Sequence, residues 1–191
     1  DFIWNELESK KNFTIKIDKV LNISHKDESS SVLTTSTEYH GKKLFNSVSF
    51  DKRYNQQINY PVLNQHFVGW FIETNEDVFD DTTATFMDFS VEQENKTRFM
   101  YVLPFQKNKA LVEYTLFSEK LLPRYEYDEE LKHYLNINGI SDYKITEVEE
   151  GAIPMTCYRF WRQNSSNVLY IGTVGGWTKP STGYTFYNSN K

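Results

Sequence analysis

The chain has 191 residues, of which 39% are hydrophobic, 16% aromatic and 25% charged, and its formal net charge is -5. This composition is globular rather than disordered, and the length predicts one domain whose apolar weight lies in Phe and Tyr. The charge is spread along the chain without a Lys/Arg block, which argues against a nucleic acid partner.

The first fifty residues predict a helix followed by β-structure. The stretch DFIWNELESKK carries apolar residues near helical spacing, and NFTIKIDKVLNIS alternates apolar and polar residues as a strand does. SSSVLTTSTEYHGKKLFNSVSF contains two β-rich runs with His40-Gly41-Lys42 between them. We therefore expect residues 1–50 to form a helix plus β-hairpin region whose turn lies at these three residues.

Residues 66–118 read as almost unbroken strand. The runs HFVGWFIET, TATFMDFSVEQE, TRFMYVLPF and KALVEYTLFS are rich in aromatic and β-branched residues, and turn-like stretches separate them. Parallel strands need long crossovers, so short connections favour an antiparallel meander.

The last third predicts a helix, a strand and a Gly-rich turn. RYEYDEELKHYLNING ends at the C-cap candidate Gly139, and one helical face carries Tyr127, Leu131, Tyr134 and Leu135. DYKITEVEEGAIPM follows as a strand, and residues 168–174 read as a buried strand that opens into two glycines. The predicted fold class is α+β: a mainly antiparallel sheet over 60–160 with flanking helices, and a strand and turn over 165–191.

Metal and disulfide chemistry find little support in the sequence. His66 has no second His at ligand spacing, and the acidic runs DEEL and EVEE lack the spacing of a calcium loop, so we expect no metal and interpret both runs as solvated. The single cysteine, Cys157, indicates a reducing compartment and hence a cytoplasmic protein. With no partner His or C-x-x-C context, Cys157 is expected to be a small buried residue. No apolar run approaches the roughly 20 residues of a membrane span.

One carboxylate interrupts a strand that has no polar face. Glu113 in KALVEYTLFS shares its face with Leu111, Thr115 and Phe117, while the opposite face is also apolar. A buried, unpaired charge costs several kcal/mol. The residues alone therefore leave three readings of Glu113 open: it is exposed, it pairs with a group on a neighbouring strand, or it is functional.

Asp88 poses the same question on another predicted strand. It lies between Met87 and Phe89 in TFMDFS. One interpretation is a turn-bonded or strand-edge carboxylate, and the other is a second catalytic candidate that supports Glu113 or the substrate region through a polar contact.

The segment IGTVGG is typical of a strand-to-turn element that lets a ligand approach the backbone, although a simple turn after a buried strand explains it equally. The dinucleotide fingerprint G-x-G-x-x-G occurs nowhere in the sequence. Either no dinucleotide binds, or the first half of its site lies upstream.

Several blocks together carry a resemblance. QHFVGWFIET, FDDTTATFMDF, FMYVLPF, KALVEYTLFS, EEGAIPMT and IGTVGGWTKPSTGYTF resemble, in order, the blocks of the flavin-dependent lycopene cyclase family of carotenoid biosynthesis, from about Phe13 to Phe186. The resemblance implies an FAD/NAD(P)-binding fold of the aromatic-hydroxylase-like kind, with an antiparallel sheet over the substrate. The sequence would then be a fragment that lacks the N-terminal Rossmann fingerprint and is inactive and flavin-free alone.

The resemblance also implies roles for particular residues. It makes Glu113 the catalytic acid, but Tyr114 stands where the family tends to carry a second acid, which puts a two-carboxylate arrangement in doubt. It places a flavin-contacting block at Gly172, Gly175, Gly176, Thr182 and Gly183. The implied cofactor is reduced FAD with NAD(P)H as reductant, and the implied partner is a lycopene-like carotenoid.

The chemistry of ring closure is consistent with these roles. Protonating an unactivated C=C requires a neutral acid, and an apolar surround raises a carboxyl pKa because desolvation disfavours the anion. Aromatic rings can stabilise the resulting cation, and the candidate substrate-binding residues are Trp70, Phe86, Tyr101 and Trp177.

Two rival interpretations remain. The first is a redox flavoprotein of the same superfamily, either a hydroxylase or a prenyl reductase, and the second is a non-catalytic module that binds an apolar ligand. In the full-length cyclase we expect peripheral contact with the membrane that dissolves the substrate, and an excised sheet is expected to allow a homodimer of the fragment.

Overall fold

The computed structural model describes residues 2–26, 29–48 and 53–190, and the chain divides into two compact units. The first unit comprises residues 1–50 and 160–175, and the second comprises 51–159 and 176–191. Both units combine β-strands with short helices, and the larger sheet is wholly antiparallel. The α+β architecture with a mainly antiparallel sheet is as predicted.

The described residues of the first unit form one helix, two small sheets and two 3-10 turns. Its elements are α1 (Phe2–Glu8), β1 (Val20–Lys26), β2 (Ser29–Thr34), β3 (Glu38–Gly41), β4 (Leu44–Asn46) and β10 (Val168–Tyr170), with 3-10 turns at Phe160–Gln163 and Gly172–Gly175. Strands β1, β2 and β3 form an antiparallel sheet in that order, and β4 pairs with β10 in parallel.

Three sequence-based boundaries in this unit are wrong. The first strand begins at Val20, so the alternating residues 13–17 precede it, and β10 is shorter than the predicted 168–174. The hairpin turn lies before His40-Gly41-Lys42, because Gly41 pairs with Ser30 in the ladder. The turn closes instead where Thr34 Oγ1 donates to the Thr37 carbonyl at 2.7 Å. This side-chain-to-backbone bonding supplies a turn without glycine.

The second unit is a five-stranded antiparallel sheet with a helix on one face. Its elements are β5 (Val62–Thr74), β6 (Thr85–Asp88), β7 (Thr97–Gln106), β8 (Lys109–Ser118), α2 (Arg124–Ile137), β9 (Tyr143–Thr156) and α3 (Phe186–Ser189), with a 3-10 turn at Arg53–Asn55. The strand order is β6-β7-β8-β5-β9. The predicted meander therefore holds for β6, β7 and β8, whereas β5 pairs with β8 and β9 rather than with β6.

Helix α2 covers one face of this sheet and forms the core with it. Its buried side chains are the four predicted from helical spacing, Tyr127, Leu131, Tyr134 and Leu135. They pack against side chains from three strands, including Val68, Trp70, Ile72, Met100, Val112, Tyr114 and Leu116. Gly139 follows the helix with φ +76°, the left-handed conformation that glycine adopts without strain.

The opposite face of the sheet is rich in aromatic rings. Its side chains alternate along each strand with those of the core face. Strand periodicity places on this face Phe67, Gly69, Phe71, Phe99, Tyr101, Leu111, Glu113, Phe117 and Glu149. Among the described residues, no helix is long and apolar enough to cross a membrane. Cys157, expected to be buried, is exposed at the end of β9.

Candidate active site

Four residues from four strands form a row across the sheet on the face opposite α2. Tyr101 of β7 pairs with Glu113 of β8, Glu113 pairs with Gly69 of β5, and Gly69 pairs with Glu149 of β9. Directly opposed residues on neighbouring antiparallel strands point to the same face. The row therefore gathers a phenol and two carboxyl groups on the aromatic-rich surface.

Glu113 is half-buried and interacts with Thr115 and Glu149. Thr115 Oγ1 donates to Glu113 Oε1 at 2.5 Å, and the Glu149 carboxyl group is close enough to affect the pKa of Glu113. Burial, followed by the contact with Glu149, raises the pKa of Glu113 to about 7, while the Thr115 hydrogen bond opposes this rise. The Glu113 carboxyl is thus close to half-protonated at neutral pH.

Gly69 creates the space in which the two carboxyl groups meet. Strands β8 and β9 both flank β5, so the Cα atoms of Glu113 and Glu149 are separated by two strand spacings, about 10 Å. A Cβ on Gly69 would come within 3.0 Å of Glu149 Cγ and within 2.8 Å of Leu111 Cδ1. The Glu149 side chain therefore lies over Gly69 on its way to Glu113.

Aromatic rings surround this row. The ring of Tyr101 lies 5.3 Å from that of Phe86 and 5.1 Å from that of Phe99, and Phe99 also contacts Phe117 at 6.2 Å between centroids. Burial raises the pKa of Tyr101, and the charge of Glu113 adds to the rise. Phe86 is 75% exposed, so one side of this cluster is open. Of the proposed substrate-binding residues, Tyr101 is thus the register partner of Glu113, and Phe86 packs against Tyr101.

The two tryptophans among the proposed substrate-binding residues lie elsewhere. Trp70 is only 2% exposed and belongs to the core under α2, on the opposite face from Glu113. Strand alternation explains this placement, because Trp70 directly follows Gly69. Trp177 is half-buried in the C-terminal segment, where its carbonyl accepts a hydrogen bond from Asn188 Nδ2 at 2.6 Å. Trp70 therefore does not belong to the proposed substrate-binding surface.

Asp88 also faces away from Glu113. Its Oδ1 accepts a hydrogen bond from the Ser90 N–H at 2.9 Å, and its Oδ2 accepts one from Tyr134 of α2 at 2.8 Å. The Ser90 hydrogen bond, supported by that of Tyr134, lowers the pKa of Asp88. Asp88 thus anchors α2 to the turn after β6 as a carboxylate, and the structure does not bring it to the catalytic position considered for it.

Tyr114, at the position of the family's second acid, is fully buried on the core face. Adjacent strand residues point to opposite faces, so a side chain at position 114 cannot join Glu113. The second carboxyl comes from Glu149 instead, within the run EVEE whose acidic pattern predicts a solvated surface. That interpretation is wrong for Glu149, which is half-buried over Gly69, whereas Glu147 and Glu150 are exposed.

The proposed flavin-contacting residues divide between the two units. In the first unit, Gly172 has φ +61°, a Cβ there would meet nothing within 4 Å, and Gly175 is buried in the same 3-10 turn. This open backbone fits a group that approaches the main chain closely. In the second unit, Gly176 is exposed with φ +75°.

The remaining two flavin-contacting residues lie in a turn that packs against the sheet. The N–H groups of Thr182 and Gly183 donate to the Lys179 carbonyl at 3.2 and 2.9 Å. Gly183 has φ +72°, and a Cβ there would collide with Gln65 Oε1. Gln65 shares the face of Glu113, and its register partner Phe117 confirms this. Gln65 and Gly69 are four positions apart on β5, so this turn reaches the sheet about 13 Å from the row.

The solved structures that share this fold include the following two. One is a geranylgeranyl bacteriochlorophyll reductase-like protein from Thermoplasma acidophilum, with a TM-score of 0.58, 12% identity, and coverage of 90% of this chain and 44% of that one. The other is the halogenase PltM in complex with ethyl mercury and mercury, with a TM-score of 0.51, 11% identity, and coverage of 90% and 39%. The chain therefore has the fold of part of these proteins and spans less than half of either.

The family assignment rests on the sequence itself. The family described as lycopene cyclase protein matches residues 7–191, which is nearly the whole chain. The chain belongs to the lycopene cyclase family, as the ordered blocks predicted. No curated protein matches the chain significantly.

Proposed function

We propose that the protein containing this chain closes a ring at the end of an acyclic, lycopene-like carotenoid by acid-initiated, non-redox cyclisation, with Glu113 as the acid. One observation carries this proposal: a half-buried carboxyl on an aromatic-rich sheet face, with a pKa raised to about 7. An acid with a pKa near the working pH is available in its protonated form and still transfers its proton readily. Membership of the lycopene cyclase family supplies the substrate class.

The reaction is balanced in protons. Glu113 gives its proton to the terminal C=C of the polyene, and the neighbouring double bond attacks the cation to form the ring bond. The ring cation then loses a proton to a base, which leaves an isomer of the substrate. Tyr101 lies opposite Glu113 on the neighbouring strand and Phe86 packs against Tyr101, so that their ring faces would stabilise positive charge near the acid.

The proposed cofactor is FAD in its reduced form, with NAD(P)H as the reductant. Bound reduced flavin would supply negative charge near the carbocation. The residues that would hold it remain those that the family resemblance indicates, and the open backbone at Gly172 supports that assignment best. The contact with Gln65 already explains the glycine at position 183.

The surroundings of the protein belong to the same proposal. We propose a cytoplasmic protein that contacts the membrane peripherally, because acyclic carotenoids dissolve in the lipid phase. The 191-residue chain alone is proposed to be inactive and free of flavin, and its open aromatic face gives it a tendency to form homodimers. Flavin absorbance that co-purifies with the isolated chain would contradict this.

The proposal is tested by Glu113→Gln in the full-length protein, expressed in a carotenoid-producing host. Gln keeps the size of the side chain but has no acidic proton, so cyclised product is expected to fall at least a hundredfold. The matched control is Glu119→Gln, because Glu119 is exposed just beyond the same strand. Cyclisation by Glu113→Gln at the wild-type level would contradict the proposal.

The two rival functions make different predictions. A hydroxylase or prenyl reductase consumes one reduced nicotinamide per turnover, whereas a cyclase uses the reduced flavin without net oxidation. Measured nicotinamide oxidation in step with product would favour the redox enzyme. A non-catalytic binding module would retain carotenoid without converting it, and Glu113→Gln would not change its binding.

A further inference from the structure

We propose that Glu149 is a positioning residue that keeps the catalytic proton on Glu113, with the two carboxyl groups forming a hydrogen-bonded pair across Gly69. This inference rests on the proposed function of Glu113. It adds an explanation of why that acid keeps its proton. It concerns residues from β8 and β9, strands that do not touch each other in the sheet.

The geometry supports a pair rather than two separate acids. The residue between the two carboxyl groups in the row is Gly69, and glycine has no side chain. A Cβ at this position would come within 3.2 Å of Glu149 Oε1. Any other residue at position 69 would occupy the space that the Glu149 side chain crosses. Gly69 is therefore a structural requirement of the pair.

Among the described residues, the side chains that face the pair from the neighbouring strands include no Lys or Arg. On the face of the sheet, β7 contributes Tyr101, β9 contributes Glu149 and the exposed Glu147, and β5 contributes Gly69. Two other acids of the sheet have basic partners: Glu73 pairs with Lys109 at 3.2 Å and Glu150 with Arg124 at 2.9 Å.

Two adjacent carboxyl groups in a partly desolvated site do not both ionise, because like charges at close range are unfavourable. One proton shared between the two carboxyl groups satisfies the pair. Glu113 carries this proton and donates it in a hydrogen bond to Glu149. In this arrangement Glu113 remains protonated at a pH at which a solitary glutamate on the same surface would have ionised. Glu149 thus acts on the reaction through Glu113 and need not touch the substrate.

The test is the pH profile of cyclisation by the full-length protein with Glu149→Gln. Gln preserves the size and hydrogen-bonding capacity of residue 149 but removes its negative charge. Activity falls with rising pH as Glu113 loses its proton, and this limb is expected to move to lower pH by about one unit. Glu149→Asp, which keeps the charge, is expected to restore part of the shift.

The matched control is Glu147→Gln, which makes the same change on the same strand and face at an exposed position. Its high-pH limb is expected to coincide with that of the wild type. Gly69→Ala is a second variant, because it keeps both acids but obstructs their contact, and it should move the limb in the same direction as Glu149→Gln. The inference is overturned if Glu149→Gln shifts the limb no further than Glu147→Gln does.

A direct titration separates this inference from the proposed function. Carboxyl carbon NMR of the full-length protein, with Glu113 assigned by its loss in Glu113→Gln, reports the protonation of that side chain without any turnover. A downward shift of this titration in Glu149→Gln supports the pair even if Glu113→Gln proves active, in which case only the catalytic role fails. An unchanged titration contradicts the pair even if Glu113 is the acid.

Discussion

Thr115 donates a hydrogen bond from Oγ1 to Glu113 Oε1 at 2.5 Å, two residues along the same face of β8. This hydrogen bond favours the ionised form of Glu113 and lowers its pKa, against burial and Glu149. Thr115→Val keeps the shape and removes the donor, so the high-pH limb of cyclisation is expected to move upward. The measurement is the pH profile of the full-length protein.

Thr97→Val is the control for this prediction. Thr97 lies opposite Phe117 on β7, on the same face but exposed and away from Glu113. Its pH profile should match that of the wild type. A downward movement of the limb in Thr115→Val would show that the hydroxyl acts on Glu113 in another way.

His66 is buried on the core face within a fully ordered hydrogen-bond relay. Ser118 Oγ donates to the Lys120 carbonyl, so it accepts from His66 Nε2 at 2.7 Å, and His66 Nδ1 accepts from Tyr127 OH at 2.6 Å. Burial, with a small contribution from Lys96, lowers the pKa of His66 to about 4. Neutral His66 therefore stabilises the fold above pH 6.5, and this contribution is lost between pH 6.5 and 4.

The prediction is that the difference in unfolding free energy between wild type and His66→Gln shrinks by up to about 3 kcal/mol as pH falls across that window. A difference is needed because Glu113, with its raised pKa, acts in the opposite direction between pH 4.5 and 7. His133→Gln, which changes an exposed histidine of α2, is the control. Denaturant unfolding at several pH values measures both, and a constant His66→Gln difference would contradict the neutral relay.

Gly183 and Gly139 form a natural comparison, since both have left-handed φ values, +72° and +76°. A Cβ at Gly139 meets nothing within 4 Å, so Gly139→Ala is expected to cost only the backbone strain, about 1 kcal/mol. At Gly183 the Cβ also collides with Gln65, so Gly183→Ala should cost roughly 1 kcal/mol more. Unfolding free energies of the two variants give the comparison.

The excess cost at Gly183 should disappear when Gln65→Ala is added, because the colliding side chain is then absent. Equal costs for Gly183→Ala and Gly139→Ala would mean that the turn does not rest on β5 in solution.

Tyr134 connects α2 to the turn after β6 through its hydrogen bond to Asp88 Oδ2 at 2.8 Å. Hydrogen bonds to charged groups contribute about 1.5–3 kcal/mol, so Tyr134→Phe is expected to lower the unfolding free energy by roughly that amount. Tyr125→Phe, on the exposed side of the same helix, should have little effect. Chemical denaturation measures both, and a neutral Tyr134→Phe would show that Ser90 alone holds Asp88.

Sequence periodicity predicted the local structure of the site well. Alternation identified β8 and placed Glu113 between Leu111 and Phe117, and helical spacing identified the buried face of α2. It could not place Glu149, because the position of this residue opposite Gly69 depends on the register of two strands far apart in the chain. The signal present was a glycine on each strand, Gly69 and Gly151, since glycine in a strand often marks a close approach.

Strand register and strand order cannot be read from local sequence. For the same reason the sequence wrongly predicts that Trp70 binds substrate and that β5 pairs with β6. Short connections indicate which strands are antiparallel, but they do not say whether an earlier strand returns to the middle of the sheet. In this sheet the longest strands, β5 and β9, pair over most of their length, and this pairing outweighs the local preference for neighbours in sequence.

The central position of β5 has a consequence for how the acid arises during folding. The β6-β7-β8 segment can assemble from local contacts, but Glu113 acquires Glu149 only when β9 docks from a distant part of the chain, a late and entropically costly step. Before that docking, Glu113 lacks the part of its raised pKa that Glu149 contributes. The proton affinity of this one side chain therefore depends on completion of the sheet. Protein in which β9 has not yet docked holds the Glu113 proton less tightly than the complete fold does.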